Sequence, residues 1–364
     1  MSETVRVAVL GAANFSEVAH IPGVNAHPQG EVVALFSRDL GRAQEMAGRT
    51  GVPQATDDLE ALLAREDIQA VTVPSSNDNH YTYTMAALRA GKHVFCEKPM
   101  ALDQHLAAEM TREARQRGLV NQMAFIFRYT YCIQELRRLV ATGALGRPHY
   151  VCIEQQGYSR LRSQKATWRT DAAIHGAGHL GEMGSHCFDT VNFTCGPAMG
   201  YITELAAVTH IIPRTVEGRD GQAQPVEILD LASCLLRTER GMQGEIITSR
   251  CTPSYSQLGG MGVVVVAGDE GAALANLTRG DREILRRCTP GGQWEDAPLP
   301  PEALDGTPHG IYRMLGNFVD AVLRGAIDSE HDADFEAGFR SQAAIDATIA
   351  GGSSKRWEPV ATAV

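Results

Sequence analysis

Gly91-Lys92-His93-Val94-Phe95-Cys96-Glu97-Lys98-Pro99 is the stretch on which the rest of the chain turns. A short apolar run, Val94-Phe95-Cys96, follows a glycine and ends abruptly in an acid, a base and a proline. Parallel strands buried on both faces have this character, and open α/β sheets place their ligands at the carboxyl ends of such strands. Lys98, pinned by the following proline, is therefore a candidate for catalysis. A surface Glu-Lys pair before a turn has the same composition, so the weight of the motif rests on its surroundings.

Upstream, Val5-Arg6-Val7-Ala8-Val9-Leu10 predicts a strand that runs into Gly11-Ala12-Ala13-Asn14-Phe15-Ser16. A helix over 16–25 should follow, limited or bent by Pro22. The pattern is a degraded Gly-x-Gly-x-x-Gly. Gly11 permits the turn, Ala13 stands where a missing side chain lets the backbone approach a pyrophosphate, and Ser16 where helix and strand pack closely. Asn14 and Phe15 complete this candidate cofactor turn, although a plain βα turn would look similar. A second strand, 31–36, ends in Ser37-Arg38-Asp39. An acid here reads an adenosine 2′-hydroxyl, whereas a hydroxyl or arginine accommodates a 2′-phosphate. Ser37 and Arg38 thus favour NADP, and Asp39 would serve NAD in a shifted register, so the cofactor reads as NAD(P).

Helix and strand patterns then alternate: helices over 40–50 and 58–65, the latter capped by Thr56-Asp57, a strand over 68–73, the turn Pro74-Ser75-Ser76-Asn77-Asp78-Asn79-His80, a helix over 81–90, the opening strand, a helix over 103–118 and a strand over 120–127. Strict βα alternation predicts a doubly wound parallel sheet. The turns at 74–80 and 97–99 would flank its crevice.

Composition shifts after Arg128. A helix over 133–142 precedes long period-two stretches at 149–155, 200–212, 228–238, 244–250 and 262–267, which predict one large, mainly antiparallel sheet. Helices are expected over 310–324 and 335–350, the second returning to the first domain. Two domains follow: 1–128, a nucleotide-binding Rossmann domain, and 129–364, an α+β domain for substrate binding and oligomerisation. The chemical centre of the second is Trp168-Arg169-Thr170 and the run from His175 to Asp189. From Gly181 onward it reads as helix, with Glu182, His186 and Asp189 on one face at i, i+4, i+7. A carboxylate and a histidine one turn apart can share a proton, or the acid can fix the imidazole tautomer. A metal site from His175, His179, Glu182 and His186 is the competing reading, as is a satisfied core histidine at 186.

Strand-Gly11-x-Ala13, the Pro74…Asn77…His80 turn and Ala90-Gly91-Lys92-His93-Val94…Glu97-Lys98-Pro99 together resemble the Gfo/Idh/MocA oxidoreductases over essentially the whole chain. The resemblance implies a catalytic Lys98, a cis Lys98–Pro99 peptide, and a 74–80 turn near the nicotinamide ribose, with Pro74, Ser75, Asn77, His80, Glu97 and Lys98 on the cofactor side. It implies that an acid and a histidine four residues apart, here Glu182 and His186, face the lysine. Glu182 departs from the usual aspartate, as Ala13 departs from the usual glycine and Ser37 from the acid of many NAD-using members. Trp168-Arg169 resembles the aromatic–basic pair beside the nicotinamide, and Arg128, Tyr158, His175, His309 and Tyr312 are further pocket candidates, Arg128 on the cofactor side and Tyr158 and His175 with the substrate.

The expected function is hydride transfer between NAD(P) and a secondary alcohol or ketone of a sugar, polyol or related cyclic substrate. A redox-neutral glycosidase or epimerase on the same fold, or a non-catalytic nucleotide-binding sensor, are the alternatives. The 364 residues carry a net charge of −10 and a pI of about 5.7, which argues against a nucleic-acid or anionic-membrane surface. No basic-then-apolar leader follows Met1 and no apolar run is long enough to span a bilayer. The eight cysteines form no Cys-x-x-Cys pair and read as reduced thiols of a cytoplasmic protein. The resemblance adds a homodimer or homotetramer formed through the second sheet.

Overall fold

Six parallel strands form the first sheet: β1 (Val5–Leu10), β2 (Gly30–Phe36), β3 (Gln54–Thr56), β4 (Ala70–Val73), β5 (His93–Cys96) and β6 (Asn121–Met123), in the order β3-β2-β1-β4-β5-β6. This computed structural model describes residues 4–157, 165–218, 220–252, 261–278, 282–303, 309–328 and 330–364. The central strands are apolar at consecutive positions because both faces are covered: Val7 to Leu10, Ala70 to Val73 and Val94 to Cys96 are all fully buried. The connecting helices are α1 (Ile21–Asn25), α2 (Leu40–Thr50), α3 (Leu59–Leu63), α4 (Asn77–Arg89) and α5 (Gln104–Arg117). Their ends follow capping chemistry. The Asp39 carboxylate accepts from the Arg42 N–H at 3.0 Å, and Gly51 closes α2 at φ 74°.

Four local expectations are corrected. The helix over 16–25 is a π-helical turn, Ser16–His20, followed by α1 with Pro22 in its first turn, where a missing N–H costs nothing. Asp58, rather than Thr56-Asp57, caps α3. The turn after β4 is shorter than 74–80, because α4 starts at Asn77 and takes Asn77 and His80 into its first turn. The strand over 120–127 stops at Met123 and gives way to a 3₁₀ turn, Ile126–Tyr129.

The second sheet has nine strands: β7 (Pro148–Gln156), β8 (Ile202–His210), β11 (Leu231–Thr238), β12 (Gln243–Ser249), β13 (Gly262–Gly268), β14 (Gly271–Leu277), β15 (Leu285–Cys288), β16 (Glu295–Asp296) and β17 (Glu358–Pro359). A separate hairpin, β9 (Thr215–Glu217) and β10 (Ala223–Pro225), completes the numbering. The sheet order is β16-β15-β14-β13-β7-β12-β11-β8-β17; only β7–β12 pairs in parallel among the described strands. Strands β14 and β15 lie where no strand was expected from sequence. The remaining helices are α6 (Tyr131–Ala141), α7 (Ala172–His175), α8 (Ser185–Met199), α9 (His309–Arg324) and α10 (Phe335–Ser354). One face of this sheet is covered by α6 and α8 and by α10, whose Thr348 hydroxyl meets Cys234 at 3.6 Å.

The chain forms two compact units, Met1–Ala124 with Ile311–Phe339 and Val364, and Phe125–Gly310 with Arg340–Ala363. Most of α9 therefore belongs to the first unit, where Phe318 packs on Phe95 of β5 at 5.5 Å. Burying Phe95 contributes about 1.5–3 kcal/mol by apolar transfer, enough to anchor the strand that carries Lys98.

Candidate active site

In the first unit the carboxyl ends of β1, β4 and β5 are neighbours, and the candidate residues cluster there. Gly11 has φ 139°, and a Cβ added to it would lie 3.1 Å from the Ser75 Cα. Only glycine fits, because the ends of β1 and β4 meet at their backbones. The Ser16 hydroxyl donates to the Gly11 carbonyl at 2.5 Å and accepts from the Ala13 N–H at 3.2 Å, tying the turn to the helix that follows. Asn14 is exposed, and Phe15 is half-buried against the edge of His20. At the end of β2, Ser37 is half-buried and Arg38 exposed, whereas Asp39 is engaged as the α2 cap. A strand, a glycine turn and a helix start at a topological switch point are the arrangement that seats a dinucleotide, and these residues fit it.

The end of β5 is held by buried groups. His80 has Nδ1 at 2.7 Å from the Pro99 carbonyl and Nε2 at 3.3 Å from the Ser75 carbonyl. Burial pushes its pKa down, against those two carbonyls and nearby Glu97. Glu97 is 3.3 Å from His20 Nε2 and accepts from the Lys98 N–H at 3.2 Å. Burial opposes its charge, yet His20, Lys98 and His80 hold the carboxyl below its ordinary pKa. Lys98 itself is half-buried, and the Lys98–Pro99 peptide is cis.

In the second unit the run from Trp168 to Asp189 is not one regular helix. A π-helical turn, Leu180–Gly184, precedes α8, which corrects the expected continuous helix from Gly181. Gly178 permits the entry, since a Cβ there would meet the Leu229 carbonyl oxygen at 2.5 Å. Glu182 becomes a hub, with Arg169 Nε at 3.2 Å, His175 Nε2 at 3.3 Å and His179 Nδ1 at 3.9 Å. Burial lowers the pKa of both histidines, with Glu182 opposing it, and so favours their neutral forms. Arg169 also stacks on Trp168 at 4.0 Å. Trp168, Thr170, Asp171, Gln224 and Glu227 line an open cavity of about 790 Å³ in this unit. His186, in the first turn of α8, is buried against Phe127 and Phe125, with ring centroids at 4.9 and 6.0 Å.

Asp189 does not share the Glu182 cluster. It forms a buried two-toothed ion pair with Arg128, at 2.6 and 2.9 Å, and Arg128 also stacks on Phe193. Arg128 is thereby fastened inside the second unit. Tyr158 lies outside the described residues, and Tyr312 is 38% exposed. Among the described residues, no three histidine, cysteine or carboxylate side chains converge as metal ligands.

One cluster was missed from sequence. Asp230, fully buried, takes Arg214 at 2.5 and 2.9 Å and Arg250 at 2.6 Å. Burial opposes ionisation of Asp230, but the two arginines hold it below the ordinary carboxylate range. Arg250 also acts electrostatically on His175 and His179. The available signal was an arginine ending the apolar strand that contains Ile246 and Ile247, a placement that demands a buried partner.

Comparisons with known proteins agree with this architecture. A family model described as "Oxidoreductase family, NAD-binding Rossmann fold" matches residues 5–125, and one described as "GFO/IDH/MocA C-terminal domain" matches residues 133–274. D-glucoside 3-dehydrogenase of Escherichia coli is 32% identical over 54% of this chain and 55% of its own length. Levoglucosan dehydrogenase of Pseudarthrobacter phenanthrenivorans is 27% identical over 62% and 60%. The chain thus spans less than two thirds of either relative. Glucose-6-phosphate 3-dehydrogenase of Bacillus subtilis is 24% identical over 94% of both chains. A structure of levoglucosan dehydrogenase in complex with NADH and L-sorbose superposes with a TM-score of 0.87 at 22% identity, covering 99% of both chains, and shows the shared fold. With residues 5–125 and 133–274 matched, most of its length, this chain belongs to the Gfo/Idh/MocA oxidoreductase family.

Proposed function

We propose that the protein is an NAD(P)-dependent dehydrogenase that oxidises a secondary alcohol of a sugar, polyol or related cyclic substrate, or reduces the ketone. The observation that carries this reading is the seating of Lys98 on the same sheet edge as the Gly11 turn, with only β4 between their strands. The nicotinamide supplies the hydride chemistry when bound. Residues 1–128 would hold the dinucleotide and 129–364 the sugar.

In this reading His186 takes the hydroxyl proton as general base, and the Lys98 ammonium stabilises the developing alkoxide. Glu182, held beside Arg169 and His175, orients a substrate hydroxyl. His175 and Tyr158 belong to the substrate side. The names of the relatives support a glucoside, an anhydrosugar or a sugar phosphate. Ser37 and Arg38 favour NADP over NAD. The test offers methyl D-glucoside, levoglucosan and D-glucose 6-phosphate with NAD⁺ or NADP⁺ and follows reduced nicotinamide. Accumulation with at least one sugar is expected, faster with NADP⁺. Tight dinucleotide binding without turnover of any sugar would overturn the reading in favour of a sensor. Product formed without net reduced cofactor would overturn it in favour of a redox-neutral enzyme.

We also infer a homodimer or homotetramer through the uncovered face of the second sheet. Cross-strand register puts Val208 opposite Ser233 and Ala206 opposite Leu235, so all four share that face. Val208 and Leu235 are 60% and 53% exposed there, an unusual apolar display for a lone subunit. Sedimentation of Leu235→Glu should show monomer; unchanged mass from wild type would remove this inference. A cytoplasmic location is proposed on the eight free thiols, and no helix among the described residues is long and apolar enough to cross a membrane.

A further inference from the structure

The backbone on either side of Lys98 is held by buried side chains that do not themselves need to touch a ligand. His80 is 1% exposed, and its ring lies between two backbone carbonyls, Pro99 at 2.7 Å and Ser75 at 3.3 Å. Carbonyls only accept, so the imidazole must donate. A neutral ring has one N–H, and the shorter contact assigns it to Nδ1 and the Pro99 carbonyl. On the other side, Glu97 is 8% exposed and accepts the Lys98 N–H, while His20, fully buried, meets its second oxygen. Ser75 is also the residue whose backbone closes against Gly11. Through that one N–H the imidazole, carried on the first turn of α4, holds the carbonyl that follows Lys98, while its Nε2 edge only packs beside the Ser75 carbonyl.

We propose that His80 is a positioning residue for Lys98, acting by fixing the Pro99 carbonyl to the first turn of α4 rather than by contacting the dinucleotide. The role differs from the cofactor contact expected from sequence, and the reason is burial: both ring nitrogens face protein carbonyls. The proposal rests on the catalytic reading of Lys98 given above. A misplacement of about 1 Å at a reacting group can cost on the order of a hundredfold in rate, so a clamp of this kind has a measurable consequence.

The test uses the full-length protein with methyl D-glucoside and levoglucosan, and compares His80→Asn, His80→Gln and His80→Leu. An asparagine amide places its N–H near the Nδ1 position, a glutamine amide near Nε2, and leucine supplies neither. The expected order of kcat is wild type, then Asn, then Gln and Leu together, with the last about ten- to a hundredfold down. Dissociation constants for reduced dinucleotide should stay within about twofold, because the lost contact is to the lysine strand. In the Lys98→Ala background, His80→Leu should cost almost nothing further. Hydrogen exchange of the Glu97, Lys98 and Met100 amides, read by mass spectrometry without any sugar, should quicken in His80→Leu and recover in His80→Asn.

Two results overturn the proposal while leaving the Lys98 reading intact: a full additive penalty of His80→Leu on Lys98→Ala, or dinucleotide affinity falling in step with kcat. Wild-type turnover in Lys98→Ala would instead sink the Lys98 reading, and the positioning role with it. If His80→Leu fails to fold by circular dichroism, the Asn–Gln contrast decides, and equal kcat in those two variants would count against the clamp.

Discussion

Two regions carry the proposed chemistry, and they are built by different means. At the end of β5, Lys98 is surrounded by backbone groups gathered by His80 and Glu97. In the second unit, the contacts join side chain to side chain, around Glu182 and around Asp230. A backbone-clamped group keeps its place when neighbouring side chains are exchanged for others with one matching donor. A side-chain network depends on arm length and charge at every member, since each removal strands a buried partner. The first region is therefore the tolerant one and the second the exacting one.

The largest expected effect tests the exacting side. Asp230→Ala leaves Arg214 and Arg250 without their shared carboxylate and should destabilise the protein by about 3–5 kcal/mol, measured by denaturant unfolding. A loss below about 1 kcal/mol would erase the contrast between the regions. Next, Lys98→Ala and His186→Ala should each lower turnover by roughly two orders of magnitude with cofactor binding nearly intact. Near-wild-type turnover in both would sink the assignment of either region to catalysis.

A smaller effect is expected at Glu182. Glu182→Gln keeps the arm but removes the charge that Arg169 and His175 share, at a cost of about 1–2 kcal/mol in unfolding free energy. Glu182→Asp, with a shorter arm, should cost at least as much, which distinguishes a hub held by reach from one held by charge alone.

The smallest effect concerns pH. His80 in the first region and His175 and His179 in the second are pushed to lower pKa by burial. The folded state keeps these rings neutral, while the unfolded chain protonates them near the ordinary value of about 6.5. Their contribution is complete above that value and is lost as pH falls through it, by at most about 1.4 kcal/mol per pH unit for each ring. Melting temperature should therefore drop between about pH 7 and pH 5, and the drop should be shallower in His179→Gln. A flat profile over that window would show that these rings are not held neutral.

Legibility from sequence followed the same divide. The strand ends at Gly11, Ser37 and Glu97-Lys98-Pro99 were readable because a βα unit is a local pattern: continuous apolar runs and the small or polar residues that end them lie within a few positions of each other. The face expected for Glu182, His186 and Asp189 was drawn at a helical spacing that the π-helical turn at 180–184 breaks. Asp189 is claimed by Arg128, sixty-one positions away along the chain. Nothing in local periodicity marks such a partner.

By itself, then, the sequence determined the family, the parallel sheet with its glycine turn and strand-end lysine, and the broad antiparallel character of the second half. Those features depend on residue type at short spacing, which is visible without coordinates. Tertiary structure alone decided which polar groups are engaged. It turned His80 inward onto two carbonyls, made Glu182 a hub, and joined Asp230 to two arginines from either side of it in sequence. Burying a charge or a donor is costly unless a partner is brought to it, and only the folded chain brings together residues tens of positions apart.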